Sequence, residues 1–212
     1  MRVIARMNCD AGSTFLVWHV AWYGYFNILE MDMTIGQSIQ NTVKSMIQGD
    51  SGAPDAISLL KADHREAQAL FDRYEEVKDS ASPEEKLEIA KEVCGALLIH
   101  MAIEEAIFYP TARERIDDDE LLNEAEVEHD GAKDLIQQLG ELKSDDPMFD
   151  AKIKVLGEQI KHHIEEEESE LFPEVAEADI DLNTLGEQLL TAKNKMREEH
   201  GLPPQAPNQI KH

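Results

Sequence analysis

A chain of 212 residues is long enough for one domain with a substantial core and terminal extensions, and too short to suggest two large domains. Acidic residues outnumber basic ones by 44 to 20, and the formal charge of −24 would repel nucleic-acid phosphates and an anionic membrane surface, so neither is an expected partner. The two cysteines, Cys9 and Cys94, stand far apart, and Cys94 falls in an apolar helical stretch, which reads as a small core residue in a reducing, cytoplasmic setting.

Residues 1–53 read as an N-terminal extension. Between Asp10 and Glu30 there is no acidic residue, lysine or arginine, and Arg2 and Arg6 precede the run. A membrane helix needs about 20 largely apolar residues, so the length is marginal, and His19, Asn27 and two glycines weaken it further. No small-residue cleavage site of the A-x-A kind follows, so a signal peptide is not expected. Two readings of residues 1–32 stay open: an artefact of an upstream start, with translation beginning at Met31 or Met33, or an anchor or docking segment. From Thr34 to Gln48 a weakly amphipathic stretch suggests a short leading helix, ended by the loop-forming Gly49-Asp50-Ser51-Gly52-Ala53-Pro54.

Residues 54–176 carry four strongly periodic segments, with little strand-like alternation, and predict an all-α domain. The first, from about Asp55 to Lys78, spaces Ile57, Leu60, His64, Ala67, Phe71 and Tyr74 by threes and fours. The second opens with Ser82-Pro83-Glu84-Glu85, a capping box with proline at the first helical position, and continues through Leu87, Ala90, Cys94, Leu97, His100 or Met101, Glu104 and Phe108. The third, from about Asp119 to Leu142, carries Leu122, Ala125, His129, Ala132, Ile136 and Leu139. The fourth starts at the cap Asp146-Pro147 and carries Phe149, Ile153, Leu156, Ile160, His163, Glu167 and Leu171. Short connections favour antiparallel neighbours, hence an up-down-up-down four-helix bundle. Residues 177–212 complete the chain with an amphipathic helix outside the bundle, about Asp181 to His200, and a tail from Gly201-Leu202-Pro203-Pro204 expected to be disordered.

Each stripe is apolar except at a histidine, or at a histidine and a glutamate. Titratable groups at core positions are costly unless something satisfies them. His100-x-x-x-Glu104 and His163-x-x-x-Glu167 repeat one pattern, and residues four apart project from one helix face, where both can grip one ion. The second and fourth helices of such a bundle run parallel, as do the first and third, so matched residues reach the same height. His64, His100, Glu104, His129, His163 and Glu167 are therefore the candidate metal ligands. Imidazole and carboxylate suit iron in an oxygen-reactive site, and two bridging carboxylates hold two ions about 3.5–4 Å apart. That assignment gives each metal two histidines and a share of both glutamates. His162 lies off the stripe, and Glu165, Glu166, Glu168 and Glu170 read most simply as a solvated face. Glu105 and Glu168, directly after proposed ligands, are open to two readings, support for a ligand or exposure.

The segments LLIHMAIEEAIFYP and IKHHIEEEESELFP resemble the hemerythrin-like, histidine-glutamate cation-binding family, with its His-x-x-x-Glu-Glu followed, after two residues, by an apolar or aromatic pair and proline. ADHREAQALFDRY and VEHDGAKDLI resemble the other two metal-binding helices of that family, so the likeness covers about residues 55–175. It implies a hemerythrin-like bundle, two iron ions in a non-haem di-iron centre, binding of dioxygen, nitric oxide or small anions, and roles in sensing, storage or protection from stress. It equally admits an enzyme that acts on peroxide or nitric oxide, or that releases iron for repair of damaged iron centres. One departure stands out: where oxygen-carrying relatives have a fifth histidine one turn after the residue that His129 resembles, this chain has Lys133, which weighs against reversible oxygen carriage. Tyr74 or Tyr109 could supply a replacement ligand, as could water or an anion. A ferritin-like site needs Glu-x-x-His on two helices; only Glu126-x-x-His129 fits, so that class is rejected.

Overall fold

The computed structural model describes residues 53–206. The expectations for the apolar run, the leading helix and the start site fall on residues 1–52 and lie outside the described residues, as do residues 207–212. Among the described residues every regular element is helical: α1 Ala56–Val77, α2 Pro83–Ile103, a π-helical turn π1 Glu104–Phe108, α3 Tyr109–Arg113, α4 Asp119–Gly140, α5 Pro147–Glu166, a second π turn π2 Glu167–Leu171, α6 Phe172–Glu177 and α7 Leu182–Glu199.

The starts follow from side-chain caps that satisfy the first free N–H groups. Asp55 accepts from Ser58 N at 3.0 Å, and Asp146 accepts from Met148 N at 2.8 Å. Ser82 and Glu85 form the reciprocal capping box ahead of Pro83. The chain then runs as an up-down-up-down bundle in which α1 lies on α2 and α5, and α4 lies on α5 and α2. Its centre is filled by Leu59, Leu60, Tyr74, Phe108, Leu122, Phe149 and Leu156, all fully buried. Among the described residues one run, Pro83–Arg113, has the length and apolarity of a membrane span, but most of it is buried inside this bundle.

Two features go beyond the periodicity. Both His-x-x-x-Glu pairs sit at the end of an α-helix, and both glutamates open a π turn closed by a bond from the residue five on, Tyr109 N to Glu104 O and Phe172 N to Glu167 O. Pro110 and Pro173 follow at once. A proline ring clashes with the carbonyl four residues back in a regular α-helix, and the wider turn relieves that clash. The turn also brings the residue five positions on to the ligand side of the helix.

The second feature is α7. It covers α1, α2 and π1 with Leu185, Leu189, Leu190, Ala192 and Met196, all buried. Its close approach needs Gly186, because a Cβ there would collide with the Pro54 carbonyl oxygen and the Ala56 nitrogen. The helix ends on Gly201 at φ 72°, with Gly201 N bonding Glu198 O at 3.0 Å and Leu202 N bonding Arg197 O at 2.7 Å. The following residues, expected to be disordered, fold back instead: Asn194 and Gln205 exchange hydrogen bonds of 2.6 and 3.0 Å, and Arg197 donates to Pro203 O at 2.9 Å. Two adjacent prolines set the backbone there, and α7 offers the polar partners.

Candidate metal centre

All six candidate ligands are buried, none more than 7% exposed, and they converge between the two π turns. One ligand atom from each of His64, His100, Glu104 and Glu167 lies within 4.8 Å of the others, and the same holds for Glu104, His129 and His163. Glu104 thus belongs to both groups. Glu167 reaches both as well, its Oε2 lying 3.2 Å from His64 Nε2 and 3.4 Å from His163 Nε2. His100 Nε2 stands 3.2 Å and His129 Nε2 3.4 Å from Glu104 Oε2.

The outer nitrogens explain which way the rings face. His64 Nδ1 meets Glu168 Oε1 at 2.9 Å, His129 Nδ1 meets Glu105 Oε1 at 2.7 Å, and His163 Nδ1 meets Glu128 Oε2 at 2.8 Å. His100 Nδ1 differs: it faces Asp63 Oδ2 at 3.7 Å, beyond hydrogen-bond reach, and neither atom has a hydrogen-bond partner. A carboxylate on Nδ1 draws the proton there and leaves the Nε2 lone pair pointing inward, which is the arrangement of metal-bound histidines. Glu105 and Glu168 therefore support histidines rather than standing free in solvent. Glu105 is tied in turn to Lys133 Nζ at 2.6 Å. Asp63 and Glu128 were not singled out from sequence; the available signal was that each directly precedes a candidate histidine.

The residues fit metal cations on the geometry of their donor atoms. His64 Nε2, His100 Nε2, both Glu104 oxygens and Glu167 Oε2 are buried and have no hydrogen-bond partner. Such groups are costly. His129 Nε2 and His163 Nε2 point at each other across 3.1 Å, close for two lone pairs unless positive charge lies near both. The same crowding shifts the protonation of these groups in opposite directions. Burial and the Glu167 charge push the Glu104 carboxyl well above the usual range. Burial also opposes ionisation of Glu167, but His163 and His64 outweigh it and hold that carboxyl low. Burial opposes protonation of His64, yet Glu167 and Glu168 outweigh it and raise its pKa to about 9. In His100 burial wins over Asp63 and lowers the pKa to about 4.

The π turns place unlike residues on the two sides. Phe172, five after Glu167, stacks on His64 with ring centroids 5.6 Å apart and planes at 8°. Tyr109, five after Glu104, lies against His129 at 5.5 Å and donates from its hydroxyl to Glu167 Oε1 at 2.8 Å, with His129 Nε2 at 3.3 Å. Burial and the carboxylates of Glu104 and Glu167 raise the Tyr109 pKa far above its ordinary value, so the phenol keeps its proton. Tyr74, the other tyrosine considered, is not at the site. Its hydroxyl donates to Asp150 at 2.6 Å, and Asp150 lies on the helix of His163, about 20 Å before it at 1.5 Å per residue.

The remaining candidates fall outside the centre. His162 is 62% exposed in its side chain and faces Glu166 at 3.4 Å and Glu128 at 3.8 Å on the surface. Glu126, of the lone Glu-x-x-His, pairs with Arg113 at 3.0 Å. Cys94 is buried, which pushes its thiol up to about 12 and keeps it unreactive. A shallow depression between α4 and the α5–π2 run, rimmed by Glu124, Glu128 and Glu166, reaches His163 and Glu167.

The family profile described as "Hemerythrin HHE cation binding domain" matches residues 55–175. The chain therefore belongs to the hemerythrin HHE cation-binding family, and its bundle is a cation-binding one. The crystal structure of a hemerythrin HHE cation binding domain-containing protein from Mycobacterium kansasii shares the fold, with a TM-score of 0.56 and 24% identity over 70% of this chain and 88% of that one. A comparison with curated proteins finds no match.

Proposed function

We propose that this chain is a non-haem di-iron protein, with iron held by His64 and His100 on one side, by His129 and His163 on the other, and by Glu104 and Glu167 between. The observation that supports this most strongly is that Glu104 belongs to both groups of converging donors. One carboxylate shared by two sets of two histidines is what a pair of neighbouring ions requires. Iron bound there would supply redox chemistry and a coordination position for a small ligand.

The role we infer is binding of dioxygen, nitric oxide or a small anion, or of iron itself, in sensing, storage or protection from stress. A depression lined in part by His163 and Glu167, and a Tyr109 hydroxyl beside His129, fit that role. Lys133 favours ligand binding without reversible carriage: it neutralises Glu105 on the outer side of His129 and offers no donor lone pair while protonated. Tyr109 also favours a second reading, an enzyme acting on peroxide or nitric oxide. A buried phenol that holds its proton beside His129 and Glu167 is a positioned acid.

Optical titration of iron-loaded protein with nitric oxide and azide, beside steady-state turnover with peroxide and nitric oxide, separates the two readings. Spectral change with stoichiometric binding and no turnover supports the binding role. Sustained turnover that falls about 100-fold in Tyr109→Phe, within the usual range for general acid catalysis, with iron content unchanged, would replace it with the enzyme.

A further inference from the structure

His162 lies off the buried stripe, yet it repeats the spacing of the ligand pairs one residue earlier, His162-x-x-x-Glu166 beside His163-x-x-x-Glu167. Residues four apart share a helix face, and here that face meets Glu128 of α4. One ligand atom from each of Glu128, His162 and Glu166 lies within 4.8 Å of the others, a donor cluster distinct from the two of the centre. His162 Nε2 stands 3.4 Å from Glu166 Oε1 and 3.8 Å from Glu128 Oε1. Donor atoms about 2.1 Å from one cation stand about 3–4 Å from each other, so the three can close on a single ion.

Two further observations point to a cation there. Of the four carboxylates that face a ligand histidine, three are paired with a lysine: Glu105 with Lys133 at 2.6 Å, Glu168 with Lys61 at 3.9 Å, and Asp63 with Lys193. Among the described residues no lysine or arginine pairs with the fourth, Glu128, whose Oε2 meets His163 Nδ1 at 2.8 Å and whose Oε1 is the atom turned to His162. A cation between His162, Glu166 and Glu128 would stand where a lysine stands elsewhere. The depression rimmed by Glu124, Glu128 and Glu166 also has His163 and Glu167 in its wall. Glu167 is 2% exposed and its Oε2 has no hydrogen-bond partner, so an unsatisfied buried donor lines the same depression.

We propose that Glu128, His162 and Glu166 form an outer site for a divalent cation, ferrous iron included, and that this site supplies the centre through the depression. The supply step rests on the di-iron reading above; the outer site does not. One imidazole with two carboxylates suits a divalent transition-metal ion. With the His162 side chain 62% exposed, water reaches the ion and it exchanges readily. Glu128 links the two places, since the carboxylate that would hold the outer ion also fixes the ring of His163.

The test uses the full chain loaded with iron, desalted and titrated with manganous ion. A single manganous ion should bind with nitrogen coupling from one imidazole in the pulsed EPR spectrum. His162→Ala should abolish that coupling and weaken manganese binding by about 10-fold or more, because loss of even a supporting partner costs about 10–100-fold in metal affinity. Its iron content after desalting should match that of the unaltered chain. Ferrous iron uptake by the iron-free full chain, followed by stopped flow below saturation, should slow by a similar factor in His162→Ala at low and at high salt, since no formal charge is removed. Manganese bound without imidazole coupling, or coupling that survives in His162→Ala, overturns the outer site. Coupling lost with the uptake rate unchanged overturns the supply step. Fewer than two irons per chain overturns the di-iron reading and not the outer site, which the coupling in His162→Ala still decides.

Discussion

His162 and His163 are neighbours in sequence with opposite environments, 62% and 3% exposed in their side chains. Only the second points between the helices, where its Nε2 faces Glu167 and His129. His163→Ala should therefore remove one ligand and free Glu128 from its ring, lowering iron content markedly. His162→Ala should bind iron as the unaltered chain does. Metal analysis of both variants checks this, and equal loss from the two would show that the wrong histidine of the pair had been assigned. The six candidate ligands were legible because His and Glu interrupt otherwise apolar stripes at matched positions. Their supports were legible only in part: Glu105 and Glu168 stood out by following a candidate ligand, with support or exposure left open, while Asp63 and Glu128 did not, and all four sit off the stripes and face a histidine on a neighbouring helix. Sequence spacing within one helix carries no information on that crossing.

At the scale of elements, three helices are tied together where Tyr74 of α1 and Lys86 of α2 both donate to Asp150 of α5, at 2.6 and 2.7 Å. Burial works against ionisation of Asp150, but Lys86 and Tyr74 outweigh it and hold its carboxyl below the usual range. The sign follows from linkage: a carboxyl with a depressed folded pKa stabilises the fold above its unfolded value, about 4, and that contribution is lost as pH falls through the lower folded value. The Asp150 side chain is 42% exposed, so solvent screens the pair and the effect is modest. Asp150→Asn should be less stable than the unaltered chain at pH 6, and the gap should close toward pH 2–3, as read from urea midpoints. A gap constant across that range would mean that the charge of Asp150 does not matter. The caps at Asp55, Ser82 and Asp146 were readable in advance. The π turns had a readable trace only in hindsight, a proline six residues after each ligand glutamate. The depth at which α7 docks depends on Gly186 meeting Pro54, a contact between segments far apart in the chain that no local pattern encodes.

The whole molecule carries a formal charge of −24, and part of that charge gathers at the rim of the depression as Glu124, Glu128 and Glu166. A cleft lined by one sign of charge raises the local concentration of the opposite ion, and salt screens the effect over about 10 Å at 0.1 M. Ferrous iron uptake should slow as ionic strength rises, and Glu124→Gln with Glu166→Gln should slow it at low salt while leaving the final iron content unchanged. Stopped-flow uptake reads both; a rate indifferent to salt would place entry elsewhere. The acidic run behind this rim was expected to be a solvated face, and Glu166 fits that, with its side chain 32% exposed beside His162.

A pair of irons shared by Glu104 and Glu167 would show in iron content per chain, measured together with the Mössbauer spectrum of the freshly loaded protein. Two irons per chain are expected as a magnetically coupled pair, falling well below one in Glu104→Ala because Glu104 belongs to both donor groups. One iron per chain, or two uncoupled irons that survive Glu104→Ala, would contradict it.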